Sequence, residues 1–257
     1  MNQPFLQCQN VCFSYHNLSG ETTALSNISF QIDKGEFISI VGPSGCGKST
    51  LLSLIAGLNH PESGVITLAS SGNTKIGYML QQDHLLEWRT IYKNIMLGPE
   101  ISKSVTFEKE QLAQSLLSDY GLSQFRDKKP GELSGGMKQR AALIRTMMLS
   151  PQLLLLDEPF SALDYQTRLM VSADIGRIIR KSGITAILVT HDLSEAIALS
   201  DRILILSKRP ATIKKELPIS LTMADDSLLA ARNAPEFSNY FSILWKEISD
   251  EYGTDTL

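Results

Sequence analysis

Residues 42–50 read Gly-Pro-Ser-Gly-Cys-Gly-Lys-Ser-Thr. An apolar run, Phe37-Ile38-Ser39-Ile40-Val41, precedes them, and Leu51-Leu52-Ser53-Leu54-Ile55 follows. The order is strand, glycine loop, helix, and the spacing G-x-x-x-x-G-K-S is that of a phosphate-cradling loop. Gly42, Gly45 and Gly47 permit backbone angles that side chains disfavour, so successive N–H groups can turn inward onto phosphate oxygens. A helix beginning near Lys48 adds the partial positive charge of its N-terminus. Lys48 is expected to reach the β- and γ-phosphates and the Ser49 hydroxyl to bind Mg²⁺. The whole segment Gly42, Pro43, Ser44, Gly45, Cys46, Gly47, Lys48, Ser49 and Thr50 is the expected nucleotide-binding loop.

The rest of the chain arranges itself around this unit. Residues 5–15 alternate in polarity and read as a strand, 17–23 as a polar loop, and 28–32 as a second strand. Lys34-Gly35-Glu36 is a tight turn into the loop-bearing strand, and Pro61-Glu62-Ser63-Gly64 another turn before strands at 65–68 and 75–80. From 82 to 150 the pattern changes to helices, at 90–97, 108–120 and 136–149. Alternation of strand and helix then returns. Leu153–Leu156 is wholly apolar, as in a strand buried on both faces. A helix at 165–181, a strand at 185–190, a helix at 193–199 and a strand at 203–206 follow. The fold class is α/β: a P-loop core with a mainly parallel sheet, an antiparallel β layer at the N-terminal side and an inserted helical subdomain. Residues 1–257 form a single domain, with 1–81 and 151–210 as core, 82–150 as helical subdomain and 211–257 as a C-terminal strand and helix. In that last helix Phe237, Phe241, Leu244, Ile248 and Tyr252 share one face, a pattern of core packing or, alternatively, of self-association.

Composition narrows the function classes. The formal net charge is −3 and no long basic block occurs, which argues against a nucleic-acid surface. The N-terminus lacks the charged start and apolar core of a signal peptide, and no apolar run reaches the length of a membrane span. Three cysteines imply a reducing compartment with free thiols. Cys8 and Cys12 lack a second ligand pair and read as small hydrophobes. Cys46, inside the glycine loop, is an expected target of oxidants or alkylators.

Two further strings carry chemistry. Leu153–Leu156 ends in Asp157-Glu158. A nucleotide site needs an acid near the loop serine to hold Mg²⁺, and Asp157 at the strand's carboxyl end fits. Alternation along the strand turns Glu158 elsewhere, placed to take a proton from an attacking water. Leu133-Ser134-Gly135-Gly136-Met137-Lys138-Gln139-Arg140 is the second. Taken alone it is an ordinary helix N-cap, yet that helix start is a second anion site in a chain that already has one.

The ordered set resembles the ATP-binding cassette (ABC) family: the glycine loop at 42–50, Gln81, LSGGMKQR at 133–140, LLLLDEP at 153–159, SALD at 161–164 and His191, over roughly residues 5–210. The resemblance implies that two cassettes pair head to tail. Ser134, Gly135 and Gly136 of one chain then close on the γ-phosphate held by the loop of the other, and Asp164 contacts the opposite loop. By position, Tyr15 matches the aromatic residue that stacks on adenine, although a strand-end tyrosine also serves as core. Gln81 matches the glutamine that senses Mg²⁺ and the attacking water; its neighbour Gln82 is a rival one residue away. His191 matches the histidine that touches the γ-phosphate. Glu158, His191 and Gln81 are thus the expected catalytic residues, and Ser49, Gln81 and Asp157 the expected Mg²⁺ residues. Leu80 and Glu87 depart from the family's usual phenylalanine and proline, in the segment that faces a membrane partner.

A finer resemblance is to importer ATPases for nitrate, sulfonate and taurine, through DEPFSALDYQTR at 157–168, Trp88 and Ser207-Lys208-Arg209-Pro210. Importers of thiamine precursors and bicarbonate share much of it. It implies an ATPase subunit at the cytoplasmic face of a membrane that powers uptake of a small anion. Its partners are then a second copy, an integral permease met through Gln81–Trp88 and, indirectly, an external binding protein. A soluble cassette acting on nucleic acid or ribosomes is the alternative. A third reading, an interaction protein that no longer hydrolyses ATP, sits poorly with Glu158 and His191 both being present.

Overall fold

A computed structural model describes residues 3–17, 20–69, 74–222 and 228–252. The first layer is a three-stranded antiparallel sheet in the order β2-β1-β4, formed by β1 (Leu6–Asn17), β2 (Gly20–Ile32) and, later, β4 (Ser63–Leu68). The expected polar loop at 17–23 is instead the top of a hairpin: Asn17 pairs with Gly20, and Tyr15 with Thr22. The polar stretch misleads because this end of the ladder is exposed on both faces, so no apolar alternation marks it.

The second layer is a six-stranded sheet in the order β5-β6-β7-β3-β8-β9. Its members are β3 (Phe37–Val41), β5 (Ile76–Met79), β6 (Leu153–Asp157), β7 (Thr185–Val189), β8 (Arg202–Leu206) and β9 (Ile213–Pro218). All pairings are parallel except β8 with β9. Every residue of β3, β6 and β7 is buried, as an apolar parallel strand covered on both faces requires. Alternate side chains go to different cores. Leu153, Leu155, Ile187 and Val189 join the cluster beneath the antiparallel layer, with Leu51 and Leu52 of α1 (Lys48–Ile55). Leu154, Leu156, Ala186 and Leu188 join the cluster on the helical side.

That helical side holds α2 (Ile91–Ile95), α3 (Leu97–Ile101), α4 (Phe107–Asp119), α5 (Gly135–Met147) and α6 (Tyr165–Ser182). The single helix expected at 90–97 divides at Met96 into α2 and α3. Pro99 has no N–H to give to Ile95, and Gly98 is a weak helix former, so a continuous helix ends and a new one starts with Pro99 in its first turn. α7 (Leu193–Leu199) packs on β3. The tail supplies β9 and two helices, α8 (Leu228–Asn233) and α9 (Phe237–Tyr252). On α9, Leu244 is fully buried, and Phe237, Phe241 and Ile248 pack with it on Val41, Leu193, Ile203 and Ile205. The expected core face is therefore core; the Tyr252 side chain lies outside the described residues. No described helix is long and apolar enough to cross a membrane.

Candidate nucleotide site

Parallel strands all end on the same edge of a sheet, which makes that edge a natural ligand site. Four neighbouring strands deliver the expected residues there. β5 runs out to Gln81, β6 into Asp157 and Glu158, β7 to His191, and β3 into the glycine loop.

The loop is held from several sides. Gly47 has φ 123°, and a Cβ there would stand 2.9 Å from Leu25 Cδ2, so the position requires glycine. α1, which starts at Lys48, has no side-chain cap and no acidic residue in its first turn. Its first N–H groups are therefore open to an anion. Lys48 is buried, and its Nζ donates to the carbonyl oxygens of Gly42 and Pro43, each at 2.9 Å. Arg209 Nη2 donates to Gly45 O at 2.6 Å. Cys46 does not fit the expectation of an open thiol: it is 1% exposed, and burial pushes its thiol pKa upward. Burial likewise raises Cys8 to about 12, as for a small hydrophobe. Tyr15 is half exposed, edge-on to Phe13, with its hydroxyl 2.9 Å from Thr50 Oγ1. A tyrosine face thus stands beside the start of α1.

The two acids diverge, but Glu158 lies in the turn after β6, so that turn and not strand alternation sets its direction. Asp157 is buried; its Oδ1 accepts from Ser49 Oγ at 2.9 Å and its Oδ2 from Tyr78 OH at 3.4 Å. Burial raises its pKa, the Ser49 hydrogen bond opposes that rise, and the charge of Glu158 adds to it. A serine hydroxyl beside a carboxylate is an all-oxygen donor set, which suits a small hard cation such as Mg²⁺. Glu158 has φ 46°, a left-handed conformation that costs a non-glycine residue about 1–3 kcal/mol. The turn is locked by Glu158 N–H donating to Val189 O at 2.8 Å and Ser161 Oγ donating to Glu158 O at 2.9 Å. It aims the carboxylate across the strand ends, where Oε2 lies 3.1 Å from His191 Nδ1 and 3.5 Å from Gln81 Nε2. Gln81 also donates to Ser161 Oγ at 3.4 Å. Gln81, rather than Gln82, thus reaches the acid, and it stands with Glu158 instead of hydrogen-bonding to the Ser49–Asp157 pair.

Ser134–Gly136 belongs to a different neighbourhood. Ser134 caps α5 by accepting from Met137 N–H at 3.4 Å. A Cβ on Gly136 would meet Thr167 Cγ2 at 2.6 Å, so α5 approaches α6 closely there. Asp164 caps α6, and its hydrogen bonds from Thr167 hold its carboxyl below the usual range.

The segment Gln81–Trp88 is clamped. Buried Asn94 accepts from Leu86 N–H and donates to the carbonyls of Leu86, Arg89 and Thr90. Arg145 of α5 donates to the carbonyls of Asp83 at 2.6 Å and His84 at 2.7 Å. Glu87 Oε1 is 3.9 Å from Lys138 Nζ, also on α5. Leu80 and Trp88 are exposed, Trp88 by 74%.

Sequence reasoning passed over Tyr78 and Arg145, and named Arg209 without its contact on Gly45. Each acts through a tertiary contact that has no local spacing rule. A cavity of about 650 Å³ lined by Gly42, Ser44, Lys48, Glu158 and His191 is also bordered by Trp245, Ile248 and Ser249 of α9, a placement that the apolar face of that helix did not reveal.

A family model described as ABC transporter matches residues 25–161. The chain is 47% identical over 249 residues, 95% of it and 96% of the other, to an uncharacterized ABC transporter ATP-binding protein of Bacillus subtilis (strain 168). It is 44% identical over 200 residues, 77% of it and 79% of the other, to an aliphatic sulfonates import ATP-binding protein of Rhodococcus jostii (strain RHA1). Among solved structures it is similar to the dimeric structure of a post-hydrolysis state of the ATP-binding cassette MJ0796 bound to ADP and Pi, with a TM-score of 0.71, 30% identity, and coverage of 84% of this chain and 99% of that one.

Proposed function

The chain belongs to the ABC transporter family, as an importer-type ATP-binding ATPase, and from that premise we propose that it powers uptake of a small anion through a separate membrane permease. The observation that carries the reading is the convergence, at one sheet edge, of the glycine loop with the Ser49–Asp157 pair and the Gln81–Glu158–His191 cluster. A sulfonate, taurine or nitrate is the proposed class of cargo, supported by the sulfonate-import name of one relative and by the residues shared with that subgroup.

In the proposed mechanism Lys48 exchanges its loop carbonyls for the β- and γ-phosphate oxygens, and the open N–H groups of α1 take the remaining charge. Ser49 and Asp157 would hold Mg²⁺, and the ion would neutralise charge on the phosphates; Gln81, which bonds to Glu158 and Ser161, would have to turn towards that pair to join them. Tyr15 offers its exposed face to the adenine. Glu158 receives the proton of an attacking water, and His191, 3.1 Å from it, orients that carboxylate and faces the γ-phosphate. Ser134, Gly135, Gly136 and Asp164 act on the loop of a second copy, so the working unit is a dimer. Closure carries Gln81–Trp88, gripped by Arg145 of α5 and Asn94 of α2, against the permease. Coupling requires that ATP favour one permease state through different contacts in each. The chain is one domain in this reading, with the site at the sheet edge and the helical region as the moving part.

The test is uptake of labelled nitrate, taurine and alkanesulfonate in cells lacking the chain and supplied with it or with Glu158→Gln. The unaltered chain restores uptake of one of these anions. Glu158→Gln does not, and its purified turnover falls about 100- to 10,000-fold while ATP still binds. Full uptake with Glu158→Gln sinks the assignment, and indifference of all three anions to the chain sinks the cargo class.

A further inference from the structure

α9 is fixed on its inner side and open on the side that meets the nucleotide cavity. Leu244 is fully buried against the end of β3 and α7, the elements that lead into and out of the site. Glu247 pairs with Lys214 and Lys215 of β9 at 3.2 and 3.1 Å, and the Tyr240 hydroxyl accepts from Ser220 N–H at 3.2 Å. The helix therefore cannot roll freely on the core. Its next edge, Trp245, Ile248 and Ser249, borders the same cavity as Lys48, Glu158 and His191. Trp245 is 62% exposed, and its indole is stacked at 6.3 Å and 9° on Phe241, itself stacked at 6.3 Å on Phe237. An aromatic ladder thus presents a preset, largely exposed indole at the rim of the phosphate pocket. Tryptophan combines a large apolar face with one N–H donor and is the side chain most enriched at the energetic centres of interfaces.

We propose that the Trp245–Ser249 edge of α9 is part of the surface on which a second copy of this chain closes over bound ATP. The proposal rests on the dimer reading above. The occupant follows from continuity: the cavity that Trp245 borders is the one that Ser134–Gly136 of the second copy must reach, so the body that seals the phosphates also covers the indole. Covering it removes apolar area from water at the margin of a polar site, where it keeps solvent from the phosphates.

The experiment uses the Glu158→Gln chain as parent, because slow turnover keeps ATP in place. Sedimentation with Mg-ATP gives the dimer dissociation constant of the parent, of Trp245→Ala and of Trp245→Phe. Trp245→Ala should weaken the dimer at least about tenfold, with Trp245→Phe between the two. ATP affinity below dimer-forming concentrations should change less than about twofold, since the phosphate ligands are untouched. An unchanged dimer constant overturns the proposal, and a tighter dimer overturns it by making α9 an obstacle to closure. A parent that stays monomeric with ATP removes the dimer reading itself, an outcome visible before any α9 variant is made. Should Trp245→Ala fail to fold, the Trp88→Phe parent leaves Trp245 as its single tryptophan. Its emission should move to shorter wavelength when ATP drives assembly, and a fixed emission maximum overturns the proposal.

Discussion

The glycine loop and the Ser134–Gly136 segment are both glycine-rich helix starts suited to anions, and they are finished to different degrees. Around the loop, at four adjacent strand ends, Lys48 bonds to the Gly42 and Pro43 carbonyls, Ser49 to Asp157, and Glu158 to Gln81 and His191. Around Ser134 the structure supplies a cap and close packing against α6, but no carboxylate, lysine or histidine from the catalytic cluster bonds to it among the described residues. One region is an assembled pocket and the other a surface. A helix start on the surface, apart from the glycine loop of its own chain, makes sense when the surface of one chain serves the pocket of another.

That contrast can be broken by substitution. The largest effect belongs to the pocket. Lys48→Ala should weaken ATP binding at least about 100-fold, because two charge-assisted hydrogen bonds are lost, and equilibrium dialysis reads it directly. Ser134→Arg should do the reverse. ATP affinity of the isolated chain stays within about twofold, while turnover falls more than about tenfold, because a bulky cation at the surface blocks closure of the pair. If Ser134→Arg instead weakened ATP binding as strongly as Lys48→Ala, the two regions would be parts of one intrachain site.

The smallest effect concerns a buried carboxyl on α7, just after His191 in the chain. Glu195 of α7 is buried, accepts from Thr190 Oγ1 at 2.8 Å, and burial raises its pKa from 4.5 to about 7. The folded state therefore favours the protonated carboxyl. Its contribution is unchanged below about pH 4.5, where folded and unfolded chains are both protonated. The penalty for charging it grows as pH rises towards 7 and is complete above that. Glu195→Gln keeps an acceptor for Thr190 without the charge. It should match the parent near pH 4.5 and exceed it by about 2 kcal/mol above pH 7, a rise of a few degrees in thermal midpoint. Equal midpoints at pH 8 would contradict the buried-charge account.

How far this was legible in the sequence follows from the range of each signal. The loop, the acids after four leucines and the strand–helix rhythm are local patterns, and the structure carries them in parallel strands with two buried faces. The hairpin end at Asn17–Gly20 was hidden because exposed polar strand looks like loop. The break at Met96 was hidden because its cause, Pro99, sits three residues beyond it. Within the site, the members Ser49, Asp157, Glu158, Gln81 and His191 could be named from motif order. Tyr78 on Asp157, Arg209 on Gly45 and the Arg145 grip on Asp83 and His84 could not, since in each the side chain that makes the contact lies outside the motifs that mark the site. The openness of Cys46 was misjudged for the same reason: the side chains that cover the loop come from elsewhere.

The central claim, that the working site lies between two chains, is tested most directly by turnover per chain across a dilution series in saturating Mg-ATP. A site shared between two copies predicts that turnover per chain falls on dilution, as mass action dissolves the pair, and returns on concentration. Turnover per chain that stays constant over about a thousandfold dilution, while sedimentation at the lowest concentration finds only monomer, would mean that one chain suffices.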